Sequence, residues 1–309
     1  MPRCLLPRSL LLFHPLLAFL PVFLRVFLRG DPWHSVFTSL YDPAVNELSL
    51  AASRLRQARS VVAITGAGIS AESGLRTFRG STATSAADLP RDMQALWAEF
   101  DPQTLATPEA FQADPEKVSR WYDWRRLGCL AAEPNPGHLA LAAIERSVTA
   151  SGGTFTLLTQ NVDRLHHRAG STNVVELHGN IIQWRCTSTH RVIDLPTEPF
   201  ATFPPPSPFA KGALLRPHVV WFGEMLPPRA LEAAAAAVQS CDLFLSIGTS
   251  AVVYPAAGFL HAARQNNAFT IEINAEPTAA SRIVDICIQG SSGDILPSLA
   301  NAAFSPQSS

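Results

Sequence analysis

The chain has 309 residues, 47% of them hydrophobic, and a formal net charge of -1. This length and apolar content allow one large domain or two smaller ones with a well-buried core. The near-neutral charge gives no support for nucleic-acid binding through a basic surface. Five cysteines without paired spacing argue against a secreted disulfide framework.

The first 30 residues differ in composition from the rest, because they contain four arginines, no acidic residue and many leucines and phenylalanines. This composition is typical of a mitochondrial presequence, although the apolar run at 10–24 also resembles the h-region of a signal peptide. Pro15 and Pro21 interrupt that run, so a spanning helix and a stable membrane association are not expected. We therefore expect a mitochondrial protein; a cytoplasmic or nuclear location, or an unprocessed N-terminus, is the alternative.

A helix is predicted over 45–59, and it leads into an apolar β-branched run that breaks into the Gly-rich sequence TGAGIS. Gly66, Gly68 and Ala71 fit the G-x-G-x-x-G/A spacing, which lets the backbone approach a pyrophosphate at a helix N-terminus. The acidic residue expected about 20 positions later is represented only by Asp88, in a loop-like stretch. The sequence therefore does not match the pattern expected of an ordinary nicotinamide-dependent dehydrogenase.

Two segments of the chain lack the pattern of a buried strand. Residues 81–134 hold short amphipathic stretches with several aromatic residues, which predicts a helical insertion and lid. A helix is predicted next over 136–149, with Pro136 near its start, where a missing donor costs little. The second segment, at about 181–212, contains six prolines and is predicted to be mostly loop.

Four further apolar runs end in polar residues, as the first run does. They are 155–158 before TQNVD, 174–177 before HGN, 243–247 before GTS and 269–273 before NAE. In a doubly wound sheet, ligands bind beyond the carboxyl ends of the strands, so these polar residues are expected to meet at one edge.

Taken together, these motifs resemble those of the sirtuins, which are NAD-dependent protein lysine deacylases. GAGISAESG with TFRG, TQNVD, LHGN, RPHVVWFGE, GTS and NAE stand in the family's order, and the match runs over about 61–299. The resemblance implies an α/β fold with a Rossmann-like doubly wound parallel sheet and a smaller inserted module, made of the helical lid and a degenerate zinc-ribbon-like loop region. We divide the chain into an extension at 1–44, a catalytic domain at 45–302 and a tail at 303–309.

The resemblance also implies a reaction, in which an acyl group leaves lysine for the ADP-ribose part of NAD and nicotinamide is released. NAD and acyl-lysine proteins or peptides are the implied partners, with no direct contact to nucleic acid. His178 is the implied general base, since imidazole exchanges protons near neutral pH, and Asn161 is the second implied catalytic residue. His166 and His167 are interpreted as surface or helix-face residues without a role.

The residues implied to bind NAD follow the strand ends. They are Gly66, Ala67, Gly68, Ile69, Ser70, Glu72, Ser73, Thr77, Phe78, Arg79, Gln160, Asn161, Val162, Asp163, Gly248, Thr249, Ser250, Asn274, Ala275, Glu276 and Ser292. Among them, Phe78 and Arg79 match a family pair that closes over the cofactor. The alternative for Asn161 and Asp163 is an ordinary turn, in which such side chains bind their own backbone.

Substrate recognition is implied for the segment VWFGE, whose backbone would pair with an extended peptide by strand addition. Its residues are Val220, Trp221, Phe222, Gly223 and Glu224, with Val253 on the facing loop. Tyr122 and Arg125 lie three residues apart on a predicted helix, hence on one face.

The Tyr122–Arg125 pair predicts an acyl preference. An arginine fork binds a carboxylate and a tyrosine adds a donor, and this Y-x-x-R resembles the sirtuins that remove succinyl, malonyl and glutaryl groups. Ala106 matches a small residue that leaves room for such groups. The alternative is an aromatic-basic helix surface with ordinary ion pairs.

Zinc is doubtful, because sirtuins normally supply two cysteine pairs to a tetrahedral site. Cys186 is the only retained candidate ligand; Thr189, Pro206 and Lys211 stand at the other expected positions. We therefore predict no zinc or weak zinc binding. Three hypotheses follow: an active deacylase that favours acidic acyl groups, a catalytically impaired NAD-binding or interaction protein, and a protein ADP-ribosyltransferase.

Overall fold

The computed structural model describes residues 43–75, 102–250 and 256–305. Its centre is a six-stranded sheet with the order β3-β2-β1-β7-β8-β9, in which every neighbouring pair is parallel. The strands are β1 Ser60–Thr65, β2 Thr154–Thr159, β3 Val174–Glu176, β7 Leu243–Ile247, β8 Phe269–Asn274 and β9 Ile286–Gln289. This order confirms the predicted doubly wound sheet.

Helices cover both faces of this sheet, as a parallel sheet requires. On one face lie α1 Pro43–Gln57, α6 Pro136–Ala150 and α10 Ser292–Phe304, whose buried side chains share a core cluster with the strands. On the other face lie α8 Pro228–Ser240 and α9 Ala256–Gln265. The strand LFLSI of β7 is buried at every position, which explains its continuous apolar sequence.

Three helices precede α6 and form the insertion that the sequence predicts after β1. They are α3 Pro102–Leu105, α4 Pro108–Ala113 and α5 Pro115–Ala131. The side chain of Thr107 accepts a hydrogen bond at the start of α4, and that of Asp114 does so at the start of α5. Each cap is followed by proline at the first helical position, so the sequence fixes where these helices begin.

The second insertion is mostly irregular, as the sequence predicts, but it also holds short strands that were not predicted. It contains a three-stranded antiparallel sheet of β4 Gly179–Cys186, β5 Val192–Asp194 and β6 Leu215–Val219, with β4 in the middle. Residues 195–213 lie outside named strands and helices. This sheet packs against α5 through a core cluster that includes Trp121 and Trp184. We call the sheet and α3 to α5 the small module.

Two short helices complete the description, α2 Ala67–Ala71 after β1 and α7 Leu165–Arg168 after β2. Within the described residues, none of the helices combines the length and apolar character needed to cross a bilayer.

Candidate functional site

The chain turns tightly where β1 and β7, the two central strands, reach their carboxyl ends. Gly68 N donates to Gly248 O at 2.8 Å, and Gly66 N donates to Ile247 O at 3.0 Å. A Cβ atom added to Gly68 would lie 2.7 Å from the oxygen of Gly248 and 2.8 Å from its Cα, closer than real contacts allow. This approach of two backbones therefore requires glycine, and it lies at the point where the strand order reverses.

The loop after β2 contributes the amide and carboxyl groups of the site. Asn161 Nδ2 donates to Gly66 O at 2.9 Å and to Ser70 Oγ at 3.1 Å. Ser70 Oγ donates in turn to Asp163 Oδ2 at 2.8 Å. Burial raises the pKa of Asp163, while hydrogen bonds from Leu165 N and from Ser70 oppose that rise. The loop is thus tied to the glycine turn.

His178 lies between β3 and β4, beside the same loop. Its Nδ1 is 2.9 Å from Gln160 O, and a carbonyl oxygen can only accept, so Nδ1 carries a proton. The neutral ring therefore presents the lone pair of Nε2. Burial lowers the pKa of His178, although the hydrogen bond to Gln160 opposes the change, so the ring is neutral and able to take a proton at pH 7.

On the other side of the site, hydrogen bonds connect the loops that follow β2, β7 and β8. Gln160 Nε2 donates to Thr249 Oγ1 at 3.0 Å, and Asn274 Nδ2 donates to Thr249 O at 3.1 Å. Ala275 N donates to Asn274 Oδ1 at 3.1 Å. The carboxyl ends of β2, β7 and β8 are joined in this way, as the sequence predicts. A glycine cradle with polar groups on both sides fits a dinucleotide.

Comparison with known proteins identifies the family of this arrangement. The model of the Sir2 family matches residues 66–255. This chain belongs to the Sir2 family. An NAD-dependent protein deacylase of Thermus thermophilus is 45% identical over 245 residues, which are 79% of this chain and 91% of the relative. The resemblance inferred from the motifs is therefore confirmed.

Two solved structures of sirtuins extend the comparison. A complex of a Sir2 homologue with NAD is 41% identical, with a TM-score of 0.73, and the match covers 82% of this chain and 92% of that one. The structure of Sir2Af2 bound to a myristoylated histone peptide is 31% identical, with a TM-score of 0.63, over 84% of this chain and 96% of that one. The similarity to the NAD complex supports NAD as the cofactor.

Several residues that the sirtuin resemblance places near NAD make contacts within the protein. Glu72 Oε1 accepts from Gly293 N at 3.0 Å, so its carboxylate lies at the start of α10, where buried Ser292 begins the helix. Ser73 Oγ accepts from Asn135 Nδ2 at 3.0 Å. The Ile69 side chain is fully buried in the core, so its backbone alone can face a ligand.

Some of the remaining predicted cofactor residues are exposed, one packs against the small module, and the others lie outside the described residues. Ser250, Ala275 and Glu276 are exposed, while Val162 packs against the small module and its carbonyl accepts from Ile181 N at 3.0 Å. Thr77, Phe78 and Arg79 lie outside the described residues, and so does Val253, which is predicted to contact the substrate.

The predicted acyl-binding residues come together in the small module of this sirtuin. The Tyr122 side chain is buried, and its hydroxyl accepts from Trp221 Nε1 at 3.0 Å. The Arg125 guanidinium carbon lies 5.5 Å from the Tyr122 ring centroid and 4.7 Å from that of Trp121. Ala106 belongs to the same cluster. The predicted shared face of Tyr122 and Arg125 is therefore present.

The segment that the sequence predicts as a peptide-pairing edge continues past the end of β6 as an irregular turn. Val220 N donates to His178 O, and Phe222 N donates to Ala106 O, both at 2.9 Å. Trp221 N donates to Glu224 Oε2 at 2.9 Å, so three consecutive N–H groups bond within the protein. Gly223 has φ +86°, a left-handed conformation that suits glycine. The segment through Glu224 is therefore not an extended strand in the free protein, and its pairing with a peptide stays a prediction.

The sirtuin resemblance implies a zinc site near Cys186, but the groups found there do not fit zinc. Cys186 is fully buried at the end of β4, and Thr189 N donates to its Sγ at 3.4 Å. Burial raises the pKa of the Cys186 thiol, but hydrogen bonds from Ser207 and from the turn at 188–189 together outweigh burial. The net result is a pKa lowered from 9.0 to about 7. In the part of the chain that the structure describes, no group of three His, Cys, Asp or Glu could hold a metal. One cysteine does not make a tetrahedral site.

Several polar residues that were not predicted lie behind the site. His166 is a correction, because its ring is buried and not on the surface, whereas His167 is half-buried. Asn135 and His138 also lie behind the glycine turn, where Asn135 Nδ2 donates to Ile69 O at 2.7 Å. The sequence NPGH does carry one local signal, an Asn cap followed by proline at the start of α6. It does not say which distant residues the cap meets.

Proposed function

We propose that this chain is an NAD-dependent protein-lysine deacylase that prefers succinyl-, malonyl- and glutaryl-lysine to acetyl-lysine. Membership of the Sir2 family and a relative named as an NAD-dependent protein deacylase support the general activity. The acidic preference rests on a single observation, the packing of the Arg125 guanidinium against the ring of the buried Tyr122.

NAD supplies the ADP-ribosyl group that accepts the acyl chain. Residues of this chain have separate tasks around it: the glycine turn at 66–68 admits the phosphates, and Asn161 and Asp163 orient the ribose and the nicotinamide. His178 holds the lone pair of Nε2 ready to take a proton, because Nδ1 is committed to Gln160 O. Each of these groups is held by hydrogen bonds before a ligand arrives, which lowers the cost of binding.

The acidic preference follows from charge. A carboxylate buried without a partner is costly, whereas a guanidinium and a phenol O–H give it charge-assisted hydrogen bonds. The positive charge of Arg125 also lowers the pKa of Asp163, against the larger effect of burial, so this guanidinium acts on the NAD loop as well as on Tyr122. An acyl chain that ends in a carboxylate would therefore meet a cation at the site.

The test is a turnover assay on matched lysine peptides that carry succinyl, malonyl, glutaryl, acetyl or myristoyl groups. Purified protein and NAD are incubated with each peptide, and nicotinamide and O-acyl-ADP-ribose are measured. We expect kcat/KM for the acidic peptides to exceed that for acetyl by at least about tenfold, the value of one charge-assisted hydrogen bond. No turnover on any peptide, with NAD binding retained, would refute the deacylase.

Two variants test the role of Arg125. Arg125→Met should remove turnover of acidic peptides and leave acetyl turnover within about twofold. Arg120→Met is the matched control, because Arg120 lies on the same helix but pairs with Glu116 at an exposed position. Equal loss on acidic and acetyl peptides in Arg125→Met would contradict the preference. ADP-ribose attached to protein, without deacylated peptide, would support a transferase instead.

We also propose that the arginine-rich first 30 residues direct the protein to mitochondria. Fusing residues 1–44 to a fluorescent protein tests this, with Arg3, Arg8, Arg25 and Arg29 changed to Gln as the control. Diffuse fluorescence from the unchanged fusion would contradict the proposal.

A further inference from the structure

Two buried histidines lie directly behind the loop that carries Asn161 and Asp163. His138 on α6 is fully buried, and His166 on α7 is 2% exposed. Their ring centroids are 4.8 Å apart. Buried titratable side chains are uncommon unless their polar atoms have partners, so the hydrogen bonds of these rings indicate what they do.

The proton of His138 can be assigned from its neighbours. Asn135 N–H is 3.4 Å from His138 Nδ1, and an N–H can only donate, so Nδ1 is the acceptor. In the neutral ring the proton is then on Nε2, which lies 3.4 Å from Ser70 Oγ. One edge of His138 therefore completes the cap of α6, and the other edge donates toward the NAD site.

Ser70 uses its whole hydrogen-bonding capacity in this arrangement. Its oxygen receives the N–H of His138 and the Nδ2–H of Asn161, which occupy both lone pairs. Its single proton is then directed at Asp163 Oδ2, 2.8 Å away. Without the donor from His138, the Ser70 hydroxyl could rotate. The side chains of Asn161 and Asp163 would then each lose one fixed partner and keep only Gly66 O and Leu165 N, respectively.

A second chain of hydrogen bonds reaches the same loop from His166. Thr65 Oγ1 donates to Thr159 Oγ1 at 2.9 Å, so the 2.9 Å contact between His166 Nε2 and Thr65 Oγ1 makes Nε2 the donor. Thr159 Oγ1 also accepts from Asn161 N at 3.1 Å. The backbone of Asn161 is thus held by one histidine chain and its side chain by the other.

We propose that His138 and His166 are positioning residues for NAD: as neutral donors they fix the hydroxyls of Ser70 and Thr65, and so hold Asn161 and Asp163. This inference rests on the proposed function, because it assumes that these two residues bind the nicotinamide and ribose end. Neither histidine is expected to touch NAD itself. Their effect should be on NAD affinity and kcat, with no effect on KM for the acyl peptide.

Two conservative variants of His138 separate positioning from a purely structural role. His138→Gln keeps an N–H donor at about the reach of Nε2, but it loses the acceptor that caps α6. His138→Asn keeps an acceptor at about the position of Nδ1, but it is too short to donate to Ser70. The structural and the positioning contributions are therefore removed one at a time.

We expect His138→Gln to have a lower melting temperature and a kcat/KM for NAD within about threefold of wild type. His138→Asn should melt close to wild type and lose roughly tenfold in kcat/KM for NAD, the effect of one hydrogen bond. Isothermal titration with NAD alone gives the same comparison without turnover. Activity lost in proportion to melting temperature in both variants, or a fully active His138→Asn, would overturn the proposal.

The His166 chain has its own test, a double-mutant cycle with His166→Gln and Thr65→Val. If the chain acts as one unit, the two substitutions together should lower NAD affinity no more than the larger of them does alone. Thr154→Val, at an exposed position of β2, is the control and should leave NAD affinity unchanged. Additive losses would show that His166 and Thr65 do not cooperate.

The NAD titration also keeps this inference apart from the proposed function. If the wild-type protein binds NAD but removes no acyl group, the deacylase proposal fails, whereas the effect of His138→Asn on NAD affinity can still be measured. If the deacylase is active and His138→Asn binds NAD as wild type does, the positioning proposal fails alone.

Discussion

The indole N–H of Trp221 donates to the hydroxyl of Tyr122 at 3.0 Å, and both side chains are buried. Burial raises the pKa of Tyr122 to about 12, against the lowering effect of Arg125, so the phenol keeps its proton at physiological pH. Because Trp221 occupies a lone pair of the oxygen, the phenol proton is available to donate to another group. This relationship supports Tyr122 as a fixed donor beside Arg125.

Tyr122→Phe should therefore lower kcat/KM for succinyl-lysine peptide by roughly tenfold and leave acetyl-lysine peptide within about twofold, because one charge-assisted hydrogen bond is lost. The variant should also be about 1–3 kcal/mol less stable, since the buried indole N–H of Trp221 loses its acceptor. Steady-state kinetics on both peptides and urea denaturation check the two effects. A similar loss on both peptides would mean that the hydroxyl acts through folding alone.

The pH dependence of the reaction should report His178. Burial lowers its pKa below the ordinary 6.5, and catalysis needs the neutral ring. The kcat/KM for the acyl peptide should therefore be constant near neutral pH and fall only as the pH drops below 6.5. His178→Ala should abolish turnover at every pH while NAD still binds. An acidic limb with a midpoint above 6.5 would contradict this assignment.

The glycine turn makes a steric prediction. Gly68→Ala places a methyl group against the backbone of Gly248, so the turn must move and its 2.8 Å hydrogen bond weakens. We expect NAD affinity to fall about tenfold to a hundredfold, the effect of about 1–3 kcal/mol of overpacking. Gly128→Ala is the control, because no atom beyond its chain neighbours and the adjacent helix backbone lies within 4 Å of the added methyl group. That change in the interior of α5 should stabilise the protein by about 0.5–1 kcal/mol.

The sequence predicted the strand ends well because each signal is local. An apolar run followed by Gly, Asn or His marks the end of a buried strand, and parallel strands bring such ends to one edge. Gly66, Asn161 and Thr249 are far apart in the chain, yet the structure joins them through Ser70 and Gln160. The sheet order then follows from the few topologies that parallel strands allow.

The polar network behind the site could not be predicted in this way. His138 and Ser70 are 68 residues apart, and their contact depends on how α6 packs on the turn after β1. The strand β4 was missed for another reason, because the prolines that follow it dominated the interpretation of the whole insertion. Ile181, Trp184 and Cys186 are in fact its buried apolar side chains, and they pack under α5.

The stability of the protein should fall in mild acid because of His138. Burial lowers its pKa from 6.5 to about 4, so between these values the unfolded chain binds the proton and the folded chain does not. Stability contributed by the neutral ring is therefore lost as the pH falls below 6.5, by about 2 kcal/mol at pH 5. Urea denaturation at pH 7 and pH 5 measures this loss.

His138→Gln removes the titrating group, so it should reduce the loss of stability between pH 7 and pH 5. The remaining loss should come in part from His166, whose pKa burial also lowers, with a smaller effect of the neighbouring imidazoles. An identical pH dependence in the variant and the wild type would assign the acid sensitivity to other groups.

A buried ion pair holds the irregular segment that follows β5 in the small module. Arg126 donates from Nε and Nη2 to Asp123 Oδ1 at 2.9 and 2.7 Å, and from Nη1 to Pro196 O at 2.5 Å. The other carboxylate oxygen of Asp123 accepts from Phe200 N at 3.2 Å. Helix α5 thus binds the segment directly.

Arg126→Ala should consequently destabilise the protein by about 3–5 kcal/mol, because it leaves the buried Asp123 carboxylate without its partner. Glu116→Gln, which breaks an exposed pair on the same helix, should cost less than about 1 kcal/mol.

Incubation of the wild type with a strong zinc chelator should leave its melting temperature and its deacylase rate unchanged, since one cysteine cannot replace four ligands. Stoichiometric zinc in the purified protein, together with unfolding by the chelator, would show that the segment is held by metal and not by Arg126.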